Sequence, residues 1–141
     1  VGRLAVGHKR VLLMEHLMIG LTRVILRLGR NPDAGFPDGN DEYGYVIQAP
    51  LDAQGRLDPS LWREKKALCT VRRFHPNEAA SDGWLRHRGD NWYFWYDEAD
   101  EGPEEPLFKL AAKELRVGEY VTVREGDGDV LAFRIAEAAH I

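Results

Sequence analysis

The sequence predicts a mainly β fold, α+β only at the margin: about seven antiparallel strands with one short helix, arranged as a small partly open β-barrel or as two packed sheets. Three observations predict it. From residue 21 onward the dominant hydrophobic period is two. Clusters of Gly, Pro, Asn and Asp punctuate the chain at short intervals, and a single stretch carries a full helix-start signal.

The first strand is expected at 22–28. Val24, Leu26 and Leu28 fall on one face while Arg23 and Arg27 flank Ile25 on the other, the pattern of a half-buried strand. Residues 31–42 (NPDAGFPDGNDE) read as a long turn-rich loop, because these residues supply fixed or positive φ and local hydrogen bonds. A second strand at 43–49 stops at Pro50, which has no ladder donor, and a turn follows around Gly55. Asp58 offers a capping carboxylate and Pro59 a first helical position, so 59–67 should be a helix that turns Leu61 and Trp62 toward the core.

The C-terminal half reads as hairpins. A β-branched and aromatic run at 69–74 ends near Pro76, and 77–83 is expected as a polar loop. The aromatic runs 84–88 and 92–97 are separated by Gly89, Asp90 and Asn91, a short turn-forming link. Residues 97–105 (DEADEGPEE) are almost wholly acidic and lack apolar anchors, which predicts a solvated loop. Leu107 to Leu110 fits a strand or the start of a helix, and strand is preferred. A last hairpin joins 119–124 to 130–136 through the turn GDGD at 126–129.

The length of 141 residues supports one core without staples, so residues 21–141 are expected to be a single domain. Residues 1–20 are treated as an N-terminal extension, with those before Met14 set aside from the fold argument. Its apolar stretch 11–21 is interrupted by Glu15 and His16, is short of the ~20 residues that span a bilayer, and argues against export or a membrane. One cysteine, Cys69, gives no internal disulfide, and the cytoplasm is the expected compartment. A net charge of -4 argues against a dominant drive toward polyanions, although a local basic patch is compatible with it.

Catalytic and metal signals are weak. Cys69, His75 and His87 stand outside any metal-ligand spacing, the two serines Ser60 and Ser81 lie in no nucleophile elbow, and no phosphate-loop or dinucleotide motif occurs. No catalytic residue, metal or cofactor is therefore expected. The suggestive constellation is aromatic and basic: Arg72 and Arg73 on one strand, Trp84, Arg86, His87 and Arg88 on the next, and Tyr93 and Trp95 on its partner. With Trp84, Trp92 and Phe94 inward, the outer face would carry His87, Tyr93 and Trp95. The favoured reading is a non-catalytic interaction module that uses hairpin 84–96 to contact a protein partner or a second copy. Single-stranded nucleic-acid binding through the same surface is the alternative, and an enzyme using Cys69, His75 or His87 is the second alternative.

Overall fold

The computed structural model describes residues 20–96, 105–108 and 113–141. The expectations for the N-terminal extension, for most of the acidic loop and for 109–110 lie outside the described residues. Strands β1 (Leu21–Leu28), β2 (Asn40–Pro50), β3 (Thr70–His75), β4 (Glu78–Arg88), β5 (Asn91–Tyr96), β6 (Glu105–Phe108), β7 (Tyr120–Arg124) and β8 (Val130–His140) accompany one helix, α1 (Pro59–Lys65). The mainly β, antiparallel expectation holds.

Each strand pairs with the next in sequence, and β8 pairs back with β1, so the ladder runs round continuously. The well-paired wall is a curled sheet of seven strands in the order β7-β8-β1-β2-β3-β4-β5. Strand β6 bridges its two edges, pairing among the described residues at three positions with β5 and two with β7.

Alternation explains the inside. Val24, Leu26 and Leu28 of β1 are buried, as are Tyr43, Tyr45, Ile47 and Ala49 of β2, Val121 and Val123 of β7, and Leu131, Phe133 and Ile135 of β8. Tyr45, Phe94 and Phe133 pack ring against ring in the centre, with centroids 4.8 and 5.1 Å from Tyr45. One mouth is covered by α1 with its flanking loops, which supply Leu57 and Trp62, and by Leu115. The other mouth holds Tyr43, Phe36 and His75 in edge-to-face contact.

Two expectations need correction. Residues 77–83 are not a loop, because β4 begins at Glu78. Its first half lacks apolar alternation since much of it is exposed, and it is held by the backbone ladder to β3 and by the Arg73–Glu78 and Arg72–Asp82 ion pairs at 2.7 and 3.8 Å. The helix is also shorter than expected: α1 stops at Lys65, and Lys66–Leu68 tighten into a 3-10 turn before β3. Among the described residues, no helix is long and apolar enough to cross a membrane.

Candidate binding groove

The groove begins with the helix cap. The Asp58 carboxylate accepts from the backbone N–H groups of Ser60 and Leu61, at 2.9 and 3.4 Å, with Pro59 at the first helical position. This fixes the direction of α1. Trp62 then donates its indole N–H to the Leu85 carbonyl at 2.7 Å, which ties the helix to β4. One turn on, Lys66 lies over the Trp62 ring, its Nζ 5.9 Å from the centroid.

The β4–β5 hairpin supplies the other wall. Trp84 pairs with Trp95 across the strands, the rings tilted by 38° with centroids 5.8 Å apart. The Arg86 guanidinium sits 4.2 Å from the Trp95 centroid. Together Trp62, Lys66, Trp84, Arg86 and Trp95 line an open groove of about 510 Å³.

The hairpin's faces differ from expectation, and turn length is the reason. The link has two residues rather than three: Arg88 pairs with Asn91, leaving Gly89 and Asp90 to turn the chain. A slip of one residue moves every β4 side chain to the other face. Trp84 therefore points outward and is 36% exposed, while His87 turns inward beside Trp92, ring centroids 4.3 Å apart. Tyr93 is on the outer side as expected, yet it is only 7% exposed, with Arg88 lying over its ring. Of the eight residues singled out in the sequence, Trp84, Arg86 and Trp95 come together in the groove. Arg72 is on the outer wall against Asp82, and Arg73 points inward.

Arg73 belongs to a second centre that sequence reasoning missed. Glu125 is buried at the end of β7, where both tyrosine hydroxyls of β2, from Tyr43 and Tyr45, donate to its carboxyl oxygens. Arg73 Nη2 reaches Glu125 Oε1 at 3.0 Å and the Tyr43 hydroxyl at 3.1 Å, while Nη1 holds Glu78 at 2.7 Å. Burial, with Asp127 and Asp129 on the same hairpin, pushes the Glu125 carboxyl up to about 8. Arg73 and the phenols act in the opposite sense. The phenols, the carboxylates and both terminal nitrogens of Arg73 satisfy one another, as in a structural polar network, while Arg73 Nε is buried without a partner among the described residues; such perturbed carboxyls also occur at functional sites. The available signal was parity: Glu125 continues the inward series Val121, Val123.

Cys69, His75 and His87 do not form a cluster. His75 stands at the β3–β4 turn opposite Glu78, and His87 at the far end of β4 opposite Trp92, nine residues or roughly 30 Å along the strand. The Cys69 thiol is fully buried, donates to the Lys65 carbonyl at 3.4 Å and is pushed up to about 12 by burial. It is expected to react with a disulfide reagent more than about 100-fold more slowly in the native protein than after unfolding in urea. Equal rates, followed by thiol absorbance, would contradict a sealed thiol. Burial against the indoles, with Arg63 nearby, holds the His87 imidazole below its ordinary value. Among the described residues, no three His, Cys, Asp or Glu side chains are grouped to hold a metal ion.

The chain matches no protein family model, no curated protein and no solved structure.

Proposed function

We propose that this chain is a non-catalytic binding module, a small barrel that meets a protein partner through the groove between α1 and the β4–β5 hairpin. One observation carries the reading: three indoles and two cations line a single open concavity on a wall whose other large aromatics are mostly buried. Trp and Arg in a partly desolvated concavity are the side chains that dominate binding energy at interfaces. Docking in the groove is preferred to self-association by edge pairing because the concavity gathers the aromatic and cationic side chains. Single-stranded nucleic acid is the second reading, favoured by Arg86 stacked on Trp95.

The test is fluorescence anisotropy with labelled peptide and single-stranded oligonucleotide pools, comparing the wild type with the Trp84→Ala, Trp95→Ala double variant. At least one pool is expected to bind the wild type and to bind the variant ~30-fold or more weakly, as for loss of a hot-spot aromatic. Pools that bind both proteins equally would remove the groove as the contact surface.

A further inference from the structure

We infer that the groove's occupant is a segment of a protein partner that carries acidic side chains on both sides of one large apolar side chain. This deepens the reading of the groove as the contact surface and rests on it.

The charges come first. Several cations elsewhere on the surface meet carboxylates: Arg23 meets Glu137 at 3.0 Å, Arg72 meets Asp82 at 3.8 Å, and Arg56 meets Glu114 at 3.5 Å. Lys66 and Arg86 differ. Neither has a carboxylate within 4.0 Å among the described residues, and each lies instead over an indole. A cation resting on an exposed ring gains little, and a carboxylate seated in the concavity, where a ligand shields the pair from water, adds charge-assisted hydrogen bonds that the ring cannot supply. Both therefore have a stronger interaction to gain, and a carboxylate supplies it while leaving the ring face open to an apolar group.

The geometry sets how many charges the ligand brings. Lys66 stands on the helix side over Trp62 and Arg86 on the hairpin side over Trp95, and Trp84 and Ala67 line the same groove. One apolar side chain on that floor, with an acidic residue on either side, meets every wall. A nucleic-acid strand fits less well, because its affinity comes from a row of neutralised phosphates. Here two cations, Lys66 and Arg86, line the groove, in a chain of net charge -4. Charge complementarity is local, and it suits a short acidic peptide better than a polyanion.

The experiment titrates the whole protein with three labelled probes: an acidic peptide with a central Phe, the same peptide with every acidic residue changed to Ser, and oligo-dT. The acidic peptide is expected to bind, to lose ~10-fold or more in affinity when its acids become Ser, and to lose as much with Arg86→Glu or Lys66→Glu protein. A Lys-flanked Phe peptide should regain binding to the Lys66→Glu, Arg86→Glu double variant, which also shows that the variant is folded. Equal binding of the acidic and Ser peptides overturns the inference while leaving the groove as contact surface. Tryptophan-dependent binding of oligo-dT alone overturns the partner class and likewise keeps the groove. Failure of all three probes overturns the inference, and the pool comparison with the Trp84, Trp95 variant then decides separately whether the groove binds anything.

Discussion

Replacing Gly44 with alanine is expected to lower stability by more than about 3 kcal/mol, beyond the usual range for one added methyl in a packed interior. Gly44 sits where β1 and β2 leave regular register: Arg27 pairs with Gly44 and Leu28 with Asn40, so one step on β1 is matched by four on β2. This irregularity bends the wall inward. A Cβ at Gly44 would stand 1.8 Å from the Leu26 carbonyl oxygen and 2.8 Å from the Phe74 ring. The ring can rotate away, but the carbonyl belongs to a strand paired on both sides, so relief requires moving β1 against β2 and β8. Gly55 provides the contrast. It has φ +81° with nothing within 4 Å of its would-be Cβ, so alanine there meets backbone strain alone, about 1 kcal/mol. Urea unfolding of both variants checks the difference; a Gly44→Ala protein as stable as Gly55→Ala would mean the β1–β2 irregularity relaxes freely.

That dependence on long-range pairing also explains how much could be read in advance. Strands β1 and β2 and the β7–β8 hairpin were legible because one side of each faces a packed interior, and alternation records exactly that burial in the sequence. The first half of β4 was not, since its partners are exposed and its ladder is held by backbone bonds and ion pairs that leave no hydrophobic period. The groove was half legible. The aromatic and basic residues were recognised, but their sides depended on whether Asn91 belongs to the turn or to the strand, and a single residue of difference exchanged Trp84 for His87. Trp62 and Lys66 were invisible as site residues because only the tertiary placement of α1 brings them to the hairpin. Glu125 was harder still: its partners Tyr43 and Tyr45 lie 82 and 80 positions away in the chain.

Glu125 yields the other large effect, and its sign depends on which group replaces it. Glu125→Leu is expected to cost about 3 kcal/mol or more, because it leaves two buried phenols and one arm of the Arg73 guanidinium without their acceptor. Glu125→Gln keeps an acceptor oxygen and the shape of the protonated acid, so at pH 6 it should cost far less. The pH dependence separates the two forms. The carboxyl titrates at 4.5 ordinarily and about 8 in the fold, so the folded chain retains a proton that the unfolded chain has released. Its contribution to stability is therefore greatest at low pH and declines as pH rises from about 4.5 to about 8. Glutamine cannot titrate, so the Gln variant should gain on the wild type across that window and level off above it, as read from urea midpoints over a pH series. Comparing the two proteins at each pH cancels the other titrating groups, including His87, whose depressed pKa makes its own contribution rise with pH. A Gln variant that loses ground as pH rises would show that Arg73 at 3.0 Å and the two phenols outweigh burial. The centre would then be an ion pair at neutral pH, and removing its charge would be the costly step.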